Sequence, residues 1–220
     1  MNKPLLACLI ALLVMLPVLV PAAPRERLSP EVALKQLMDG NRRFAEATPH
    51  GPHRSVSRLQ EVARGQEPFA AILGCADSRV PPEIIFDQGI GNLFVARNAG
   101  NVEDNLVLGT LEYAAEHLHV SLILVLGHKS CGAVTAAMDG GHHNGHIDDF
   151  IKAIEPAVAV AKEKNHDDLE DVVRINARLI AARLAERSDV LSKLIDENKL
   201  KIIGGYYDLD TGRVTLLSDE

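Results

Sequence analysis

The chain has 220 residues, enough for one domain with a substantial core. Hydrophobic residues make up 47% and charged residues 24%, the balance of a globular protein, and with no tryptophan the core must be mostly aliphatic. A net charge of −7 without any Lys/Arg tract excludes a general nucleic-acid surface, so no nucleic-acid partner is expected.

Lys3, the apolar stretch 5–20 broken by Pro17, and Val20-Pro-Ala-Ala-Pro24 follow the pattern of a secretory signal. The apolar run is shorter than the ~20 residues a spanning helix needs. The expected organisation is a signal peptide over 1–23, cleaved after Ala22 or Ala23, and a single domain over 24–220. The mature protein is then periplasmic or secreted, with no stable membrane association. Cys8 leaves with the signal, so only Cys75 and Cys131 remain.

Ser29-Pro-Glu31 opens a helix with a capping hydroxyl, proline at the first position and an acid in the first turn. Val32, Leu34, Leu37, Met38 and Phe44 give it an apolar face. A second helix is expected over 55–65. The apolar run 69–74 reads as a buried strand. Pro81-Pro-Glu83 starts a short helix through Phe86, and 93–96 forms the second strand. Asp104 caps a helix to about Leu118, and 120–126 forms the third strand. A helix begins over 132–138, and the glycine-rich stretch 140–146 is a loop. Helices are expected over 147–164 and 167–187, then a short one after Ser188. Residues 200–207 and 213–217 read as a hairpin about the turn 208–212. This alternation predicts an α/β fold. Its sheet is mainly parallel, about four parallel strands plus C-terminal strands, with helices on its flanks.

Cys75 and His128-Lys-Ser-Cys131 both follow apolar strand runs. Side chains at the carboxyl ends of parallel strands converge on one crevice, so these residues can meet. Two thiols and an imidazole are the ligand set of a three-point zinc site that keeps its fourth position open. A Cys75–Cys131 disulfide is the competing reading for an exported protein. A cysteine hydrolase with His128 as base is another. Asp77 and Arg79 flank Ser78 and can face each other across a tight loop, as a catalytic pair or as a structural ion pair. His142, His143 and His146 read as a solvated loop; a second metal site and a proton shuttle are the alternatives.

Three stretches carry a family resemblance: Cys75-Ala-Asp-Ser-Arg-Val80, Asn92-Leu-Phe-Val-Ala-Arg-Asn-Ala-Gly-Asn101 and Gly127-His-Lys-Ser-Cys-Gly-Ala-Val134. From about Ser29 to the C-terminus the chain resembles the β-class carbonic anhydrases. The resemblance implies one Zn2+ per chain on Cys75, His128 and Cys131, and reversible hydration of carbon dioxide to bicarbonate and a proton by zinc-bound hydroxide. It implies two states for Asp77. In one, Asp77 pairs with Arg79 and accepts a hydrogen bond from the zinc-bound water; in the closed state it becomes the fourth zinc ligand. Two thiolates cancel the zinc charge, so activity is expected to rise toward alkaline pH unless Arg79 compensates.

The family's glutamine donor to substrate matches Gln66, and its apolar pocket walls match Phe94 and Tyr113. Ala99 stands where some members carry valine, which implies a wider pocket. One subgroup's inhibitory bicarbonate site uses a tryptophan that this chain lacks. The resemblance further implies N-terminal helices packed across a partner subunit, in a homodimer or homotetramer. Relatives of the fold hydrolyse carbonyl sulfide or carbon disulfide, and substrate access would separate that activity. A non-enzymatic metal-binding regulatory protein is the reading from another class; the intact Asp77–Arg79 pair argues against it.

Overall fold

The computed structural model describes residues 27–141, 143–166 and 168–218. The expected signal over 1–23, His142 and the expected helix start at Asp167 lie outside the described residues. Helix α1 (Pro30–Ala45) starts where its capping signals put it, with Ser29 accepting from the Val32 N–H. Its buried face runs through Ala33, Leu37, Gly40 and Asn41. Val32, expected on that face, is 50% exposed, because one residue step turns a helix about 100° away from Ala33. Helix α2 (Val56–Val62) is shorter than expected and buries no residue.

Strand β1 (Ala70–Cys75) is buried throughout and is followed by the short helix α3 (Pro82–Ile85). Strand β2 (Leu93–Asn98) runs two residues beyond the expected strand and leads into a 3-10 turn over Ala99–Asn101. Asp104 caps α4 (Asn105–Glu116) by accepting from the Val107 N–H. Strand β3 (Leu122–His128) lies two residues later than expected. Val120 instead bonds back to Ala114, and pairing with the C-terminal strand continues through His128. Helices α5 (Gly132–Asp139), α6 (Ile147–Glu163), α7 (Leu169–Arg187) and α8 (Asp189–Asp196) precede the hairpin of β4 (Lys201–Tyr207) and β5 (Val214–Leu217).

The sheet order is β2-β1-β3-β4-β5. The first four strands are parallel and β5 is antiparallel to β4, which is the expected α/β architecture. Alternate side chains of β3 feed two cores. Leu122, Leu124 and Leu126 join Ala33, Leu37 and Ile85 beneath α1 and α3, whereas Ile123 and Val125 join the larger core beneath the helices of the other face. A helical layer on each face explains why β1 and β3 read as unbroken apolar runs. Helix α7 lies close on β3: a Cβ at Gly127 would meet Val173 Cγ1 at 2.8 Å. The residue after Gly127 is His128, so this packing sits directly behind the site.

Candidate metal centre

Cys75 is the last residue of β1 and His128 the last of β3, so the two side chains leave adjacent parallel strands at their carboxyl ends. Ser130 takes the left-handed conformation, φ +54°, which turns the chain back on itself. Cys131 follows at the N-cap of α5, where the Ala133 and Val134 N–H groups favour its thiolate. The ligating atoms of Cys75, His128 and Cys131 all lie within 4.8 Å of one another, and all three residues are buried. Among the described residues no other such cluster occurs.

This donor set fits a tetrahedral metal. The Cys75 and Cys131 Sγ atoms are 4.0 Å apart. Zn–S bonds of about 2.3 Å in a tetrahedron would set them about 3.8 Å apart. His128 Nδ1 lies 2.9 Å from the Lys129 carbonyl, which can only accept, so Nδ1 carries the proton. That leaves the Nε2 lone pair facing the sulfurs, buried and without a hydrogen-bond partner. An unpaired buried nitrogen is costly in a fold unless a ligand takes it.

The electrostatics suit metal binding. The Cys131 thiol donates to Cys75 and pulls the Cys75 thiol far below its ordinary range, against burial. The Gly100 and Asp77 N–H groups help. The same contact and burial push Cys131 up. The contact thus favours the thiolate at Cys75, the form that binds metal.

Asp77 stands beside the cluster, with Oδ2 3.9 Å from His128 Nε2. Arg79 grips it, Nε to Oδ1 at 2.9 Å and Nη2 to Oδ2 at 2.7 Å, and the Arg79 N–H adds a bond to Oδ1. The guanidinium holds the Asp77 carboxyl down at about 2. In this structure Asp77 is turned toward Arg79, and it does not belong to the cluster of ligating atoms.

The three expected pocket residues differ in their surroundings. Gln66 is exposed between α2 and β1. Phe94 and Tyr113 pack ring to ring, with centroids 6.3 Å apart, and Tyr113 is 48% exposed. The strand register sets Cys75 beside Asn98, four residues beyond Phe94, or about 13 Å along a strand. Of the loop histidines, His146 is fully exposed and bonded to Asp149, as a solvated loop predicts, whereas His143 is half-buried with its Nε2 unpartnered.

Three further residues support the centre without advertising themselves in the sequence. Arg97 donates to the Cys75 and Asp77 carbonyls at 2.8 and 2.6 Å, clamping the segment that carries both side chains. Gly100 donates its N–H to Cys75 Sγ at 3.4 Å. Asn176, from α7, donates to the Gly100 carbonyl at 3.0 Å. The available signal was weak: an arginine and a glycine inside a motif-rich stretch, and one amide on an apolar helical stripe.

A Cys–His–Cys cluster at the carboxyl end of a parallel sheet, with a tethered carboxylate alongside, defines an α/β protein with a candidate metal centre. Comparison with known proteins narrows the class. Residues 70–214 match the carbonic anhydrase family. The chain is 43% identical over 192 residues to carbonic anhydrase 2 of Mycobacterium tuberculosis, covering 86% of this chain and 93% of that one. It is 39% identical over 194 residues to a carbonic anhydrase of Mycolicibacterium smegmatis, covering 86% and 94%. A tetrameric β-carbonic anhydrase from Sordaria macrospora superposes with a TM-score of 0.67 at 27% identity, over 86% of this chain and 98% of that one. The chain belongs to the β-carbonic anhydrase family.

Proposed function

We propose that this protein is a zinc-dependent lyase that interconverts carbon dioxide with bicarbonate and a proton. The observation that carries the reading is the convergence of Cys75, His128 and Cys131 beside an arginine-held carboxylate, in a chain of this family. One zinc per chain, held by those three side chains, would supply a water nucleophile by lowering the pKa of the water it binds. Buried Cys75, Cys131 and His128 hold the centre away from bulk solvent on one side. Asp77 works as a hydrogen-bond acceptor that orients the reacting water, since Arg79 keeps it ionised far below neutral pH. Arg79 in turn restrains Asp77 from approaching the metal as a competing ligand.

Gln66, Phe94 and Tyr113 are proposed as the pocket groups, one donor and two apolar walls, which is all that carbon dioxide requires. Their exposure and the distance of Phe94 from its own Cys75 support their presentation to the centre of a second copy. Exposed Leu106 and Tyr113 on α4, with Val56 and Leu59 on α2, further support a homodimer or homotetramer. The N-terminal signal pattern supports export to the periplasm, with cleavage near Ala22.

Metal analysis with stopped-flow carbon dioxide hydration tests the central reading. One zinc per chain and rapid hydration are expected. Faster turnover of carbonyl sulfide or carbon disulfide would move the substrate class. Light scattering tests the oligomer, and N-terminal sequencing of periplasmic protein tests export.

A further inference from the structure

Helix α7 buries an apolar stripe that includes Val172, Val173, Ile180 and Leu184. Asn176 interrupts that stripe and is itself only 2% exposed. An amide is disfavoured in a helix interior and costly to bury unless it is hydrogen-bonded. The Asn176 bond reaches across 76 residues of chain to the Gly100 carbonyl. Gly100 is the residue whose N–H points at Cys75 Sγ.

The turn that carries Gly100 is held at three points. Asn98 fixes its ends, accepting from the Val102 N–H at 2.9 Å and donating to the Val102 carbonyl at 2.7 Å. Asn176 fixes its centre. Gly100 sits at φ +77°, where a Cβ would meet Ile154 Cδ1 at 2.6 Å, so the position requires glycine and with it glycine's backbone freedom. A free glycine would aim its N–H poorly. The amide on α7 removes that freedom.

We propose that Asn176 is a positioning residue for the metal centre: by holding Gly100 it aims an N–H at the Cys75 sulfur and tunes how that sulfur donates to the metal. The inference rests on the zinc reading given above. A hydrogen bond draws charge from a thiolate, and outer contacts of this kind change metal affinity about 10- to 100-fold.

The test compares wild type, Asn176→Leu and Asn176→Ser. Leucine keeps the volume without the donor, and serine falls short of Gly100. Zinc-loaded proteins are challenged with a chelator, and Co2+-substituted proteins are read by their sulfur-to-cobalt charge-transfer absorption. Either Asn176 variant is expected to release zinc about 10- to 100-fold more readily, because the Cys75 sulfur is no longer held in place and this outweighs its gain in charge. Its absorption moves to lower energy, because the sulfur regains charge. Ile180→Val, one turn along the same buried stripe, is expected to change neither reading. A folded Asn176 variant that matches wild type in both readings overturns the inference, as does an equal shift in Ile180→Val. Wild type that binds Co2+ without sulfur absorption overturns the zinc reading itself, which keeps the two failures apart.

Discussion

Arg79 holds Asp77 by both carboxylate oxygens while Asp77 Oδ2 stays 3.9 Å from His128 Nε2. The carboxylate thus lies beside the cluster while both its oxygens are engaged by Arg79. Asp77→Asn is expected to keep zinc, because Cys75, His128 and Cys131 remain, and to lose roughly 100-fold in kcat/KM through lost orientation. Arg79→Ala also keeps zinc but frees the carboxylate to coordinate, so hydration falls. The double variant removes the competing carboxylate, so its loss is smaller than the product of the single losses. Zinc content and stopped-flow hydration read all three; multiplicative losses would make the pair merely structural.

The same pair has a pH signature. The folded Asp77 carboxyl is depressed to about 2, below its ordinary 3.8. Its contribution to stability is therefore fully present above about pH 4 and lost as pH falls through about 2. Arg79 is half exposed, so solvent screens the pair and the contribution is small. Urea unfolding of reduced, zinc-free wild type and Asp77→Asn is expected to differ slightly at pH 6 and to converge near pH 2. A constant difference at both pH values contradicts the assignment.

The ligating residues were legible because their chemistry resides in side-chain identity and their position at strand ends. Boundaries were less legible. The apolar run ending at Leu126 hid the fact that Gly127 and His128 continue the ladder opposite Tyr206 and Tyr207. Backbone pairing leaves no mark on hydrophobic pattern. Arg97 and Asn176 were illegible for a related reason: each acts on carbonyl groups of residues far away in the chain, and a carbonyl has no sequence identity.

Removing the metal should expose a redox liability. Cys75 and Cys131 sulfurs lie 4.0 Å apart, about 2 Å more than a disulfide bond. In zinc-free protein under air, the two thiols can give two electrons and two protons to dissolved oxygen and join. Thiol counting on the mature chain is expected to fall from two toward zero after chelation and to stay at two under reductant. Cys131→Ser, left with one thiol, keeps it. Two thiols that persist through long aerobic exposure of the zinc-free protein contradict this expectation.

Gly127 couples the packing of α7 to the centre. A Cβ there would lie 2.8 Å from Val173 Cγ1 and 3.2 Å from the Val173 carbonyl, so Gly127→Ala must push α7 outward or displace the end of β3. Overpacking of this kind costs about 1–3 kcal/mol. Both relaxations disturb the metal donors, since His128 follows Gly127 and Asn176 rides on α7. Gly127→Ala is therefore expected to lower the unfolding midpoint and to weaken zinc retention together. Adding Val173→Ala removes the Cγ1 contact but leaves the carbonyl contact, so recovery should be partial in both readings. Unchanged stability in Gly127→Ala, or full recovery in the double variant, would show that α7 does not press on the strand as the structure has it.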